Sequence, residues 1–284
     1  MGADFLEQDL VLTKDDVPIV LHDIHLDPVS DVATRFPDRK RADGRYYALD
    51  FTLTEIRQLR ATERFSAKTG KAAFPKRFPT GQSSFSIPTF EEELEFIAGL
   101  NQSTGRHIGI YPEIKQPAWH RKEGHDISRI VLPILQSHGY RTKDDACFLQ
   151  CFEFDEVQRL RGELGWHGRL IQLLGAGKKG DDGTDFDSLR SPAGLAALAK
   201  VADGIGPSIA SLFTGKTPAE RQLTALVPQA HAAGLLVHPY TVRLDELPSA
   251  VATVEELHHV LFKEARVDGV FTDFPDVTVR YLRK

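Results

Sequence analysis

RHIGIYPEIK (106–115) and HDISRIVLPILQSHG (125–139) are the neighbouring segments whose reading decides the fold. The first is a short apolar run that reads as a strand, and the second reads as the helix after it. The same alternation recurs along the chain. CFLQCF (147–152) precedes FDEVQRLRGELG, where Val157, Leu160 and Leu164 share one helical face. RLIQLL (169–174) is followed by a Gly/Asp/Lys loop and a helix near 192–201. ADGIGP (202–207) is a short strand, with PAERQLTALVPQAHAAG (218–234) a helix closed by Gly234. LLVHPYTV (235–242) precedes the helix VATVEELHHVLFKEA (251–265), and DGVFTDFP (268–275) leads into a closing helix. Strands spaced in this way by helices pair in parallel as βα units.

FLEQDLVLT (5–13) brings the count of parallel strands to seven. VPIVLHD follows it after only KDD, too short for a parallel crossover, so it folds back as a hairpin. The pattern predicts an α/β protein of the TIM type, a (β/α)₈ barrel of which seven strands are evident. Residues 24–86 break the rhythm with Arg, Asp, Lys and aromatics and one short helix at TLTEIRQLRA. They are expected to form an inserted lobe over the barrel mouth within a single domain spanning 1–284. IPTFEEELEFIAGL resumes the pattern, and Thr89 with Glu92 fits a capping box.

Hydrophobic residues make up 41% of the 284 and charged residues 26%, which describes an ordinary globular chain. A net charge of −5 argues against nucleic acid as a partner. No apolar run approaches the ~20 residues a membrane span needs, and the amino end carries no signal-peptide pattern. Cys147 and Cys151 lie too far apart on one strand for a disulfide and read as small buried hydrophobes.

Period-two counting places Phe5, Glu7, Asp9 and Val11 on one face of the first strand. In GIYPEIK it groups Tyr111, Glu113 and Lys115, so both strands turn their carboxylates away from the aliphatic face that helices cover. Either Glu7, Asp9 and Glu113 hold a hard divalent cation, or Glu7 or Glu113 pairs with Lys115 as a buried ion pair. His22 ends the hairpin strand, with Asp23 beside it to orient the ring. Gln150 and His238, in strands with apolar neighbours, either line an interior pocket or are satisfied packing. His258 and His259 read as solvated, and GAGKKGDDGTD (175–185) lacks phosphate-loop spacing and reads as a flexible loop.

Taken together, LEQDLVLTKDD, VLHDIHLDPVSDVA, RFPDRKRADGRYYALDFTLTEI, IGIYPEIK, LQCF, ADGIGP, VHPYTVR and GVFTDFPD resemble the glycerophosphodiester phosphodiesterases over essentially the whole chain. The likeness is greatest to the bacterial periplasmic branch with a long insertion. The resemblance implies metal-dependent hydrolysis of glycerophosphodiesters to glycerol 3-phosphate and an alcohol, through a cyclic phosphate. It implies Glu7, Asp9 and Glu113 as ligands of Ca²⁺, or alternatively Mg²⁺, and His22 as one of two acid/base histidines. Lys115 would hold phosphate, and Gln150 and His238 are expected to contact the substrate.

The chain departs from that family at one point. The His-Arg-Gly strand that carries the second histidine is not found, and the only His-Arg pair, His120-Arg121, follows PEIK in what reads as a loop. A shortened start is the expected cause, with greatly reduced turnover, and the exposed barrel edge could serve an oligomer. A sugar isomerase built on a metal-binding barrel would draw on more acidic strand ends than these two. A degenerate barrel that binds phosphodiesters without turnover is the non-enzymatic alternative.

Overall fold

A computed structural model describes residues 1–78, 81 and 84–284; four positions of the predicted lobe, 79, 80, 82 and 83, lie outside the described residues. The strands are β1 (Phe5–Leu12), β2 (Pro18–Val20), β3 (Gly109–Ile114), β4 (Phe148–Cys151), β5 (Arg169–Leu174), β6 (Gly204–Pro207), β7 (Phe213–Thr214), β8 (Gln222–Leu223) and β9 (Leu236–Val237). Seven of them form one sheet in the order β2-β1-β3-β4-β5-β6-β9, while β7 and β8 pair separately. β4, β5, β6 and β9 run parallel in succession. Gly109 N–H donates to the Asp4 carbonyl and Lys115 N–H to that of Leu10, the same offset at both ends of β3, which marks parallel pairing with β1.

The predicted hairpin is present: Leu10 faces Val20 and Leu12 faces Pro18 in antiparallel register. The membership of the sheet differs from the sequence count in one respect. Residues 268–275 form no named strand and keep a single parallel bridge, Val242 to Thr272. Their backbone bonds are nonetheless ladder-like, from Asp268 N–H to Val237 and from Phe271 N–H to Pro239. Pro239 has no N–H to return, so the ladder lapses there. β2, antiparallel, occupies the seventh place.

Two compact units share β1 and β3. The amino-terminal unit, Glu7–His107 with Pro112–Gly139, carries the helices α1 (Val32–Arg35), α2 (Leu53–Ile56), α3 (Phe90–Thr104), α4 (Pro117–Lys122) and α5 (Ile127–Ser137). Val11, Ile19, Leu26, Phe51 and Ile56 belong to its core. The capping box forms as the sequence predicts: Thr89 Oγ1 accepts from Glu92 N–H, and the Glu92 carboxylate accepts from Thr89 N–H. Gly105 at φ +66° ends the same helix in a left-handed conformation that favours glycine. The charged stretch that breaks the βα rhythm is organised by side chains instead of by a ladder. Arg41 clamps both oxygens of Asp50 at 2.8 Å, lies over the Tyr47 ring and reaches Glu123 beyond α4 at 2.9 Å.

The carboxy-terminal unit comprises Met1–Leu6, Ile108–Tyr111 and Tyr140–Lys284. It carries α6 (Phe154–Gly162), α7 (Phe186–Arg190), α8 (Pro192–Leu198), α9 (Leu226–Ala232), α10 (Val254–His259) and α11 (Pro275–Leu282). Leu174, Leu195, Ile205, Val237 and Leu257 contribute to its core. Gly109 lets β3 pass the Phe5 ring, since a Cβ there would stand 2.4 Å from Phe5 Cε1. Cys147 and Cys151 are buried free thiols.

Two expectations fail in this unit. The helix read over 218–234 shrinks to α9, because Gln222 and Leu223 pair with β7. His258 is not solvated: its ring is fully buried, bonds Thr278 Oγ1 at 2.9 Å and stacks on Tyr281. The closing helix α11 covers that side of α10, a contact no local pattern encodes. Among the described residues no helix is long and apolar enough to cross a membrane.

Candidate active site

The alternation of β1 and β3 gathers charge in the amino-terminal unit. Carboxylate oxygens of Glu7, Asp9 and Glu113 all lie within 4.8 Å of one another. Two oxygens on a shared Ca²⁺ stand up to about 5 Å apart, twice the metal–oxygen distance, so the spacing suits one hard cation. Lys115 enters the same cluster, with Nζ 2.9 Å from Glu113 Oε1 and 3.4 Å from Asp9 Oδ1. The acidic cluster and the ion pair thus involve the same residues.

The electrostatics express a shortage of positive charge. Burial pushes the Glu113 carboxyl well above its ordinary range; Lys115 opposes this, and Asp9 and Glu7 add to it. Burial alone would depress the Lys115 ammonium, but Glu113 and Asp9 outweigh it and hold its pKa above the usual lysine value. One ammonium facing three carboxylates leaves a net negative, all-oxygen pocket. That donor set fits a hard divalent cation, which Glu7, Asp9 and Glu113 would hold.

The hairpin delivers the histidine. Leu21 N–H donates to the Asp9 carbonyl at 2.8 Å, and His22 is the next residue. His22 Nδ1 stands 2.6 Å from Asp23 Oδ1, and its side chain is 63% exposed, open to a substrate. Arg64, which sequence reasoning missed, holds the other Asp23 oxygen at 2.6 Å. No periodicity in its surroundings could have signalled that contact. Partial burial would raise the Asp23 carboxyl, but hydrogen bonds from His22 and Arg64 win and hold it far below the usual carboxylate range.

The pair His120-Arg121 lies on α4, not in a loop. The His120 ring is fully buried, accepting the Leu12 N–H at Nε2 and donating from Nδ1 to the Gln116 carbonyl. Burial lowers its pKa to about 4, so the folded protein keeps this ring neutral. An unfolded chain protonates the same ring near pH 6.5, so the unfolded state binds more protons between those values. Stability is accordingly full above pH 6.5 and falls as pH drops toward 4, by on the order of 3 kcal/mol for this group. Urea unfolding at pH 7.5 and 4.5 reads the loss, and His120→Gln should flatten it.

Gln150 and His238 belong to the carboxy-terminal unit. Gln150 is fully buried on β4, its Nε2 3.5 Å from the Tyr111 carbonyl. His238 Nδ1 lies 2.9 Å from Tyr111 Oη, with the Phe148 ring edge-on, and burial lowers its pKa to about 4. The structure thus brings Glu7, Asp9, Glu113 and Lys115 into one cluster and sets His22 against Asp23 and Arg64. It sets His238 among the Tyr111 and Phe148 rings and Gln150 against the Tyr111 backbone.

The fold has solved counterparts. A putative glycerophosphoryl diester phosphodiesterase from Silicibacter pomeroyi superposes with a TM-score of 0.68 at 22% identity, over 99% of this chain and 83% of that one. An Oleispira antarctica phosphodiesterase, solved with its product sn-glycerol-3-phosphate, gives 0.64 at 17% identity, over 100% and 86%. By fold this is an α/β protein of the TIM-barrel class. The model of the glycerophosphoryl diester phosphodiesterase family matches residues 1–277. Glycerophosphodiester phosphodiesterases from Haemophilus influenzae and Treponema pallidum are 42% and 40% identical to the chain, covering 99% and 100% of it and 82% and 85% of their own length. The chain belongs to the glycerophosphodiester phosphodiesterase family, a family of phosphoric diester hydrolases.

Proposed function

We propose that the chain cleaves glycerophosphodiesters to glycerol 3-phosphate and an alcohol at the cluster of Glu7, Asp9, Glu113 and Lys115, with a divalent cation, Ca²⁺ before Mg²⁺. The carrying observation is the convergence of three carboxylate oxygens within 4.8 Å beside a buried ammonium. When bound, the cation supplies positive charge to the phosphodiester and to the oxyanion that develops on it. Lys115 adds a fixed donor for a phosphate oxygen. His22, with Asp23 on Nδ1, offers Nε2 to move a proton to or from the reacting oxygens. Gln150 and His238 contact the substrate, and the 24–86 lobe shapes the headgroup pocket.

We infer greatly reduced turnover by these 284 residues, because the His-Arg pair they contain does not offer its imidazole for proton transfer. The only His-Arg pair has its imidazole buried and bonded at both nitrogens.

Purified protein is incubated with glycerophosphocholine and Ca²⁺, and glycerol 3-phosphate is followed by phosphorus NMR alongside calorimetric titrations of both ligands. Slow, Ca²⁺-dependent release that EDTA stops is the expected result. Binding without any release supports the non-catalytic reading, and absence of binding by either ligand removes the proposal.

A further inference from the structure

The irregular stretch of the amino-terminal unit supplies a side chain to the acid/base histidine. Arg64 is anchored by its backbone: its carbonyl accepts from Ala73 N–H at 2.8 Å, and its N–H donates to Glu63 Oε1 at 3.0 Å. The following residue, Phe65, donates its N–H to the Pro28 carbonyl at 2.9 Å. From that fixed turn the guanidinium spans 41 residues of sequence, and Nη1 donates to Asp23 Oδ2 at 2.6 Å. Oδ1 of the same carboxylate stands 2.6 Å from His22 Nδ1.

An ionised carboxylate can only accept, so the His22 proton resides on Nδ1 and the lone pair on Nε2. Arg64 Nη2 lies 3.5 Å from Nδ1, and with a proton on each nitrogen that approach is no hydrogen bond. The guanidinium acts on the ring through Asp23, whose two oxygens it and the imidazole divide.

The geometry points to Arg64 as a positioning residue that fixes the rotation of the Asp23 carboxylate and so locks His22 in the Nδ1–H tautomer, with Nε2 presented for proton transfer. The purpose of that tautomer rests on the proposed hydrolysis; the orientation itself does not. Without Arg64, Asp23 turns freely about its terminal torsion, which is broad and two-fold for this side chain. His22 then loses the partner that selects between its two neutral forms.

Nitrogen-15 spectra of histidine-labelled protein test the inference, with the His22 signals assigned by their loss in His22→Asn. The native protein is expected to show one protonated and one bare ring nitrogen. Arg64→Met should average the two toward equal occupancy and lower kcat about tenfold with KM unchanged, as loss of a supporting partner does at other sites. Arg64→Lys, which restores a cationic donor, should recover part of both signals. Ca²⁺ affinity, carried by other carboxylates, should stay constant in these variants and reports an intact fold. Should the Met variant not fold, Arg64→Gln repeats the measurement. A His22 spectrum unchanged in Arg64→Met or Arg64→Gln overturns the inference. A native protein that hydrolyses nothing removes the proposed activity instead, and the spectra still decide the role of the arginine.

Discussion

Glu113→Gln should weaken Ca²⁺ binding by at least about 100-fold, the upper end of what losing even a supporting partner of a metal site costs. The substitution keeps the shape of the side chain and an oxygen that can accept from Lys115, so packing is preserved. It removes one of three negative charges whose oxygens converge within 4.8 Å, leaving Glu7 and Asp9 opposed by the ammonium. Glu113 is the most buried of the three, 5% exposed, and water there can least replace it as a ligand. Calorimetry with Ca²⁺ measures the loss directly, and residual hydrolysis should fall in parallel. Native-like affinity in the variant would remove Glu113 from the ligand set.

Lys115→Met should destabilise the metal-free protein by roughly 3 kcal/mol, the lower end of the range for removing one partner of a buried ion pair. The lower end applies because Glu113, whose burial already favours its protonated form, can take up a proton instead of remaining charged. The methionine fills much the same volume, so the loss reports charge and not a cavity. Ca²⁺ should recover most of the stability, since it replaces the missing positive charge among the same oxygens. Urea unfolding with EDTA and with Ca²⁺ compares the two states. Equal stability of variant and native protein without metal would mean that Lys115 does not balance the cluster.

The acidic face was legible because period-two alternation is a local property. Glu7 and Asp9, then Glu113 and Lys115, follow from the pleat once their segments are read as strands. The hairpin was legible for the same kind of reason, since a KDD turn permits no other connection, and so was the capping box at Thr89 and Glu92. What escaped depends on contacts distant in sequence. Arg64 reaches Asp23 from a turn with no periodicity, and His258 is buried only because α11 supplies Thr278 and Tyr281. Residues 218–234 look helical in composition, yet the first part of that segment is drawn into pairing with β7. The family motifs named the chemistry; they carried no information about these partners.

The site also has an order of assembly. Glu7 and Asp9 leave the ribosome about a hundred residues before Glu113, and joining them closes a loop whose entropy grows only slowly with length. Lys115 emerges two residues behind Glu113, immediately after the strand ends at Ile114. The carboxylate that would make the cluster repulsive therefore arrives with its own counter-charge. Pairing β3 beside β1 thus adds one negative and one positive charge together, a nearly neutral increment to the acidic face of β1.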